Sequence, residues 1–369
     1  MYDSLNSKDH TINIFIDYKK AFDTVNHSIL IRKLEKYGVR GLPLNLIKNY
    51  LCDRYQTVKV NKCFSTPKRV TIGIPQGSIL GPLLFLIYIN DLPNVSDRFQ
   101  ATLFADDTTL IFKGHDYNIL IDLCNTELEK FKQWSESNRL SINPEKTNCL
   151  LVTNRKISQI QNNVVLDGKL MSFVPQHKFL GVSLDNKLKF DKHIEIIRNK
   201  ISKSIGIMFK IQKLVPQSCL KTLYYSFIYP YLLYCLPIWG GTYHTHLNSL
   251  ITLQKRAVRI ISNASYLDHT DPLFKSNQIL KLGDIYIFTL AIYMFRNSDS
   301  FSNFSRSHSH DTRNRNILLP PYERLTTTQQ SVLYGGTRVW NDLPDNINTS
   351  PTISISKYRL KLSLLNNYG

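Results

Sequence analysis

Three aspartates are the residues of this chain best suited to bind metal ions. Asp17 ends a β-prone run, Ile12 to Asp17, and the adjacent pair Asp106 and Asp107 separates two further β-prone runs. Phosphoryl transfer commonly uses two divalent cations roughly 4 Å apart, bridged by carboxylates on a rigid support. The aspartates would form such a support if their strands were neighbours in one sheet. Taken singly, however, an Asp at a strand end is more often a helix cap, and Asp-Asp in a hairpin is more often part of the turn.

The flanking sequence predicts the elements that would position these aspartates. Residues 12–17 predict a strand that delivers Asp17 to a junction with a following helix. Residues 101–105 and 108–112 are both β-prone, and the two aspartates between them predict a tight hairpin. The acidic pair is therefore expected at the tip of that hairpin.

A glycine-rich turn precedes the most apolar predicted helix of the first half. Residues 73–78 read Gly-Ile-Pro-Gln-Gly-Ser, which is typical of a turn. Residues 81–89 are apolar on every side, and this pattern predicts a buried helix. Pro82 suits the first turn of that helix, where its missing N–H costs no hydrogen bond.

The composition indicates a folded protein with a polyanionic partner. The chain has 369 residues, 43% hydrophobic and 20% charged, which excludes a disordered or low-complexity protein. Its formal net charge of +18 favours nucleic acid or an acidic membrane surface. The most apolar run, Tyr224 to Trp239, is interrupted by Pro230 and Pro237 before it reaches membrane-spanning length. We therefore expect a buried helical segment there, no membrane partner, and nucleic acid as the polyanion.

The cysteines indicate the cellular compartment. The sequence has six of them with no CxxC pair, and no signal peptide is recognisable at its N-terminus. We expect reduced thiols in an intracellular protein; nucleus and cytoplasm are not distinguished.

Positive charge is concentrated in residues 146–213, which contain 13 Lys and Arg against 4 Asp and Glu. Within this region, apolar residues recur at helical spacing from Phe190 onward, and Asp191 is a candidate N-cap. The apolar stripe consists of Phe190, Ile194, Ile197, Ile201, Ile205 and Met208. Lys192, Lys203 and Lys210 lie on the opposite side. Such a face is either merely solvated or follows a phosphate backbone.

Three motifs occur in the order and approximate separation seen in reverse transcriptases. They are Phe15-Ile16-Asp17-Tyr18-Lys19-Lys20-Ala21-Phe22-Asp23-Thr24-Val25, Gly73-Ile74-Pro75-Gln76-Gly77-Ser78-Ile79-Leu80-Gly81-Pro82 and Phe104-Ala105-Asp106-Asp107. The chain most resembles the polymerases of non-LTR retrotransposons of the jockey-like kind, over roughly Ile12 to Val182 and more loosely beyond.

This resemblance implies an α+β fold. It comprises a polymerase palm with a small antiparallel sheet and packed helices, a helical thumb and a mainly helical C-terminal region. The expected boundaries are a palm at residues 1–182, a thumb-like region at 183–240 and a C-terminal region without an assigned role at 241–369. A segment near 297–315, rich in Ser, Asn and Arg, is expected to be mobile.

The resemblance also implies roles for particular residues. Asp17 and Asp106 are expected to bind Mg²⁺ or Mn²⁺, and Asp107 is the third carboxylate, close to the primer end. Phe22 is expected beneath the incoming sugar, with an ordinary core Phe as the alternative. Gln76 and Gly77 would contact the incoming nucleotide and the template.

Two further groups of residues follow from the same resemblance. Lys146 would lie near the leaving pyrophosphate. Phe179, Leu180 and Gly181 would grip the primer, and Lys192, Lys203 and Lys210 would contact nucleic acid.

The implied activity is RNA-directed DNA polymerisation, with an RNA template, a DNA primer and a deoxynucleoside triphosphate (dNTP) as partners. Only sixteen residues precede Asp17, where the family has a fingers region. We therefore expect an N-terminally truncated polymerase without fingers or endonuclease, whose fingers a longer polypeptide would supply. The alternative is an inactive remnant that only binds RNA or RNA/DNA hybrid.

Overall fold

The computed structural model describes residues 1–157, 163–298, 301 and 318–368. The chain divides into two compact units, one of Met1 with residues 3–177 and one of Tyr2 with residues 178–369. The first unit mixes helices with strands, and helices predominate in the described part of the second. The expected mixture of helix and antiparallel sheet is confirmed.

Helices account for much of both units. Those before residue 178 are α1 (Tyr2–Asn6), α2 (His27–Lys36), α3 (Gly41–Leu51), α4 (Leu80–Ile89) and α5 (Tyr117–Ser137). Those described after it are α6 (Asp191–Ile211), α7 (Gln217–Phe227), α8 (Tyr229–Leu233), α9 (Leu236–Trp239), α10 (His244–Ile261), α11 (Asp271–Ser276), α12 (Leu282–Arg296), α13 (Val332–Asp342), α14 (Asp345–Asn348) and α15 (Ile353–Asn366). Short 3₁₀ turns occur at Ala21–Asp23, Leu92–Val95 and Thr328–Gln330.

The strands are short except in one sheet. They are β1 (His10–Ile16), β2 (Arg54–Gln56), β3 (Lys59–Val60), β4 (Cys63–Phe64), β5 (Lys68–Val70), β6 (Gln100–Phe104), β7 (Asp107–Gly114), β8 (Asn148–Val152), β9 (Val165–Leu166), β10 (Lys169–Leu170), β11 (Gln176–Phe179) and β12 (Val182–Asp185). One four-stranded sheet has the order β6-β7-β1-β8, and the other pairs are the hairpins β9/β10, β11/β12, β2/β5 and β3/β4.

Strand β1 lies in the centre of the four-stranded sheet and is buried along its whole length. It pairs antiparallel with β7 on one side and with β8 on the other. Ile12, Ile14 and Ile16 alternate along it and belong to the core of the first unit, with Phe85 and Phe131. Burial and two ladders of hydrogen bonds make this strand a rigid support for the residue that follows it.

Helix α4 packs on this core along one side only. Leu84, Phe85 and Tyr88 are buried, whereas Leu83 and Leu86 are exposed. The prediction that this apolar segment is buried all round is therefore wrong. An apolar sequence shows which residues tolerate burial, but here α2 and the core of the first unit pack against one face of the helix only.

Helix α6 confirms the predicted apolar stripe, since all six of its residues from Phe190 to Met208 are buried. The predicted N-cap is wrong, because Asp191 is the first helical residue rather than the cap. The carboxylate of Asp185 instead accepts hydrogen bonds from the backbone N–H groups of Lys187, Lys189 and Phe190. Asp185 thus organises the turn that leads into the helix.

The apolar run Tyr224 to Trp239 is divided among α7, α8 and α9, with Pro230 and Pro237 in the first turns of the last two helices. Tyr224 and Trp239 are buried, but Phe227 is exposed. The run is therefore helical as predicted, with a solvent-facing side that was not predicted. Across the described ranges, no helix is both long and apolar enough to traverse a bilayer.

The remaining prediction on chain organisation concerns residues 297–315. Apart from Asn297, Ser298 and Phe301, that segment lies outside the described residues.

Candidate active site

Three strand ends meet where β1 finishes. Because β1 is antiparallel to both neighbours, its C-terminal end lies beside the N-terminal ends of β7 and β8. Ile16 is paired with Thr108, and one more step in the same register places Asp17 opposite Asp107. The sheet therefore brings together side chains that are about ninety positions apart in the sequence.

The hairpin β6/β7 presents the acidic pair. Phe104 is paired with Asp107, which leaves Ala105 and Asp106 as a two-residue loop. Ala105 has φ of 50°, a left-handed conformation that two-residue hairpin loops require and that few non-glycine residues adopt. The predicted hairpin is confirmed with Asp106 at its tip, but Asp107, which was also expected at the tip, is the first residue of β7 and is paired with Phe104.

The three carboxylates interact electrostatically. Burial, followed by the negative charges of Asp106 and Asp17, raises the pKa of Asp107 above its ordinary value. Asp106 and Asp107 are nevertheless exposed, so the cluster is open to a ligand. Like charges held together on a rigid sheet favour a cation that would neutralise them.

The donor set of this cluster suits Mg²⁺, which binds one or two protein carboxylates and completes its coordination with water and phosphate oxygens. Within the described ranges of the chain, no three His, Cys, Asp or Glu side chains are grouped so that they could hold a metal ion alone.

The segment between α5 and β8 fixes the backbone of Asp17. The Asp17 carbonyl accepts a hydrogen bond of 2.7 Å from the N–H of Asn143, and its N–H donates to the hydroxyl of Thr147. Lys146, which is exposed, lies in the same segment directly before Thr147. Sequence reasoning missed the role of Thr147, although its position next to Lys146 in Asn-Pro-Glu-Lys-Thr marks it as part of the same loop.

The turn containing Gln76 is attached to the segment just after Asp17. The N–H of Gly73 donates to the carbonyl of Val25, and the N–H of Ile74 donates to that of Phe22. Gly73 has φ of 87°, and a Cβ there would lie 2.7 Å from the carbonyl oxygen of Asp23. Only glycine allows this approach, so its place in the motif has a steric cause.

A side-chain contact completes this attachment. Nε2 of Gln76 donates to Oδ1 of Asp23 over 2.8 Å. Asp23 was not singled out from the sequence, although it belongs to the motif that contains Phe22. Gln76 and Gly77 are both exposed, so they are accessible to a ligand.

Phe22 packs against the core and also keeps part of its surface accessible. Its ring centroid lies 4.5 Å from that of Phe85 in α4, so it packs against the core. It is only half-buried, however, and keeps an accessible surface on the same turn as Asp23.

A cleft of about 1060 Å³ opens beside this turn. Its walls include Lys20 and Asp23 on one segment, Gln76 on another, and Arg54 and Arg69 from the hairpin β2/β5. Three cations and one anion give the cleft a positive lining. A phosphate-bearing ligand of nucleotide size would fit it in volume and charge.

The residues expected to grip the primer belong to the second unit. Phe179 ends β11, Val182 begins β12, and Leu180 with Gly181 forms the loop, both at positive φ. The hydroxyl of Tyr234 donates a hydrogen bond of 2.5 Å to the Leu180 carbonyl. The Tyr234 ring lies 3.1 Å from the position of a Cβ on Gly181. Tyr234 therefore packs over this loop, which the sequence did not indicate.

Lys192, Lys203 and Lys210 are all exposed on α6. They are eleven and seven residues apart, so at about 100° per residue they lie on one side of the helix. Lys192 also forms an ion pair of 3.1 Å with Glu195, whose carboxylate would compete with a phosphate. We refer to these three residues as the lysine face.

Comparisons with known proteins bear on the first unit most directly. Residues 3–184 match a family described as "Reverse transcriptase (RNA-dependent DNA polymerase)". Over 294 residues the chain is 31% identical to a Drosophila melanogaster protein named "RNA-directed DNA polymerase from mobile element jockey", covering 76% of this chain and 32% of that protein. Over 338 residues it is 28% identical to the "Probable RNA-directed DNA polymerase from transposon BS" of the same organism, covering 87% and 36%. The chain thus spans about a third of the length of these relatives.

Among solved structures, the chain is similar to a telomerase from Candida albicans in complex with a fragment of telomeric RNA. The similarity has a TM-score of 0.40 and 14% sequence identity, and covers 82% of this chain and 52% of the other.

Proposed function

Because this chain belongs to the reverse transcriptases of jockey-like non-LTR retrotransposons, we propose that it forms the RNA-directed DNA polymerase region of such an element. The observation that carries the proposal is the convergence of Asp17, Asp106 and Asp107 at the end of the buried strand β1. The substrates would be an RNA template, a DNA primer and a dNTP.

The proposed subdomains follow the chain. Residues 1–182 would form the palm, residues 183–240 the thumb, and residues 241–369 a C-terminal region. The division between the compact units, after residue 177, falls within the hairpin β11/β12. That hairpin would grip the primer through Phe179, Leu180 and Gly181, and the lysine face would follow its phosphates without reading sequence.

The reaction would join the primer 3′-oxygen to the α-phosphorus of the dNTP, with loss of the hydroxyl proton and of pyrophosphate. When bound, Mg²⁺ or Mn²⁺ would lower the pKa of the hydroxyl and stabilise charge on the phosphates. Asp17 and Asp106 would hold these cations. Asp107, the third carboxylate, would stand near the hydroxyl that loses its proton.

Residues around the cleft would position the nucleotide. The exposed ammonium of Lys146 would neutralise or protonate the departing pyrophosphate. The accessible edge of Phe22, supported from beneath by Phe85, would pack against the sugar and disfavour a 2′-hydroxyl. Gln76, already oriented by Asp23, would contact the nucleotide or the template base.

The test is primer extension on an RNA template with Mg²⁺ or Mn²⁺. The purified chain should extend the primer, and Asp106→Ala should not. Asp97→Ala is the matched control, because Asp97 is an exposed aspartate in the loop just before β6. Equal incorporation by the parent and Asp106→Ala would reject the proposal. Salt-dependent RNA binding with no extension by the parent would instead support the inactive, RNA-binding remnant.

A further inference from the structure

Residues 54–70 form an arm that is separate from the core of the first unit. Strands β2 and β5 pair at its base and β3 with β4 nearer its tip. Every residue from Tyr55 to Arg69 is exposed, so the arm has no interior of its own. We call this segment the basic arm.

Large apolar side chains are displayed on the basic arm instead of being buried. Tyr55 is 64% exposed and Phe64 is 66% exposed, and Val58 and Val60 are exposed to a similar degree. Folding does not benefit from side chains held in water. A group of this kind on a short hairpin indicates a surface that is covered by a partner.

The charge of the arm identifies the kind of partner. From residue 54 to residue 72 the sequence contains five cations and no acidic residue. The cations are Arg54, Lys59, Lys62, Lys68 and Arg69. Asp53, just before the arm, pairs with Arg69 at 2.7 Å. A second copy of the arm would bring like charge to this surface and be repelled, whereas a polyanion would be attracted.

The register of the two hairpins places a cation directly opposite each aromatic ring. Tyr55 is paired with Arg69 in β2/β5, and Lys59 is paired with Phe64 in β3/β4. Nζ of Lys59 lies 5.1 Å from the centroid of the Phe64 ring. Directly opposite residues share one face of a hairpin. Each hairpin therefore offers a flat ring and a positive charge side by side, the combination that binds a base together with its phosphate.

The base of the arm leads into the cleft described above. Arg54, Tyr55 and Arg69 line the same cleft as Gln76. A strand lying along the arm would thus continue to the turn that we propose contacts the template.

We propose that the basic arm binds an unpaired nucleic-acid strand. Two bases would stack on Tyr55 and Phe64, and the lysines would neutralise the phosphates between them. Binding by the arm requires no catalysis. Only the identification of the strand as the unpaired template ahead of the active site rests on the proposed polymerase function.

The test measures binding of a fluorescent single-stranded RNA oligomer and of a blunt RNA/DNA hybrid to the full chain, by anisotropy and without divalent metal. Tyr55→Ala with Phe64→Ala should weaken binding of the single strand by about tenfold for each ring lost, with little effect on the hybrid. Tyr55→Phe should bind like the parent, because a ring without the hydroxyl still stacks. Both positions are exposed, so the variants should fold, and circular dichroism verifies this.

Tyr266→Ala is the matched control. Tyr266 is another exposed ring with a cation near it, the guanidinium of Arg259 at 5.8 Å, but it lies outside the arm. This variant should bind single-stranded RNA as the parent does. Replacing Lys59, Lys62 and Lys68 by Ala should reduce the slope of log K against log salt by about 2, since each single-strand phosphate contact contributes about 0.7.

Several results would overturn the inference. Unchanged single-strand binding after loss of both rings would do so, as would an equal loss for hybrid and single strand. Preferential binding of the arm to phosphatidylserine vesicles, or loss of a dimer in the double variant by sedimentation, would assign the surface to a membrane or to a second copy. The two proposals can fail independently. If the chain binds single-stranded RNA through the arm but does not extend a primer, the polymerase proposal is wrong and the inference about the arm stands.

Discussion

The two tight hairpins β6/β7 and β11/β12 have similar loops that are stabilised by different contacts. Each has a two-residue loop that begins with a left-handed non-glycine residue, Ala105 at φ 50° and Leu180 at φ 44°. The first hairpin is part of the four-stranded sheet, where β7 has seven paired residues with the buried β1. The second is a two-stranded ribbon whose loop is held by the side chain of Tyr234.

The difference is related to what each loop would contact. Metal-binding carboxylates must keep their separation, and a ladder of backbone hydrogen bonds in a buried sheet supplies that rigidity. A loop that contacts a primer backbone without reading its sequence tolerates more adjustment, so one tyrosine is sufficient support. The first loop also holds adjacent carboxylates, and burial, followed by the charges of Asp106 and Asp17, raises the pKa of Asp107, while the second loop carries no charge.

The largest expected effect is that of Asp106→Asn, which should change the rate of primer extension but not the binding of primer–template. Asp106→Asn removes a charge at the tip of the first loop and should lower kcat of primer extension by more than a hundredfold, on the order seen when a group stabilising the transition state is removed. The Kd for primer–template should stay within about twofold, because the loop would contact the reacting groups rather than the duplex. An increase in Kd with an unchanged kcat would mean that the two loops have been assigned the wrong roles.

The second loop should give the opposite result. Gly181→Ala puts a Cβ at φ 84° and 3.1 Å from the Tyr234 ring, so it should cost about 1–2 kcal/mol in the free energy of unfolding, measured with urea. Its main kinetic effect should be a higher Kd for primer–template. Gly168→Ala is the control, since Gly168 has φ 71° but open space around its Cβ and is not among the residues proposed to contact nucleic acid, and it should be the less destabilising of the two. Equal losses in both variants would argue against a specific role for the Tyr234 ring.

A smaller effect is expected from the hydroxyl of Tyr234 alone. Tyr234→Phe keeps the ring against Gly181 but removes the hydrogen bond to the Leu180 carbonyl, which should cost about 0.5–1 kcal/mol. Tyr234→Ala should cost more and should raise the Kd for primer–template. If Phe and Ala behaved alike in urea unfolding, the ring would contribute nothing to the loop.

The smallest expected effect concerns pH. Because the pKa of Asp107 is raised in the folded chain, its ionised form destabilises the fold above that pKa. Asp107→Asn should therefore be slightly more stable than the parent at pH 7, by a few tenths of a kcal/mol once solvent screening of an exposed group is allowed for. The difference should shrink as the pH falls through the raised pKa of Asp107 towards the ordinary aspartate value near about 3.9. If the stability advantage of Asp107→Asn over the parent increased as the pH fell, the raised pKa of Asp107 would be contradicted.

Local sequence was sufficient to predict elements whose pattern is self-contained. The hairpin carrying Asp106 was predicted because β-prone runs flank it on both sides, and the buried stripe of α6 because its period is helical. The position of Asp17 beside Asp107 needed the register between distant strands. The resemblance of the motifs to those of reverse transcriptases predicted that Asp17 and Asp107 lie close together. The periodicity of the sequence alone could not predict it.

The errors and omissions have two physical origins, a competing local hydrogen-bond acceptor at Asp191 and tertiary context elsewhere. Asp191 has the residue type of an N-cap, but the carboxylate of Asp185 accepts the hydrogen bonds from the backbone N–H groups of Lys187 and Phe190, just before the helix. Helix α4 is apolar all round, but the core covers only one of its sides. Thr147 and Tyr234 hydrogen-bond to the backbone of Asp17 and of Leu180 through contacts 130 and 54 residues away in sequence, and no local pattern marks such contacts.

The central claim is that Asp17 and Asp106 jointly hold divalent cations at the end of β1. The most direct measurement is Mn²⁺ binding by electron paramagnetic resonance, in the presence of primer–template and a dNTP, for the parent, Asp17→Asn, Asp106→Asn and Asp97→Asn. The account predicts that the parent and Asp97→Asn bind Mn²⁺ alike and that each of the other two variants loses binding. Full Mn²⁺ binding by Asp17→Asn or Asp106→Asn would contradict it.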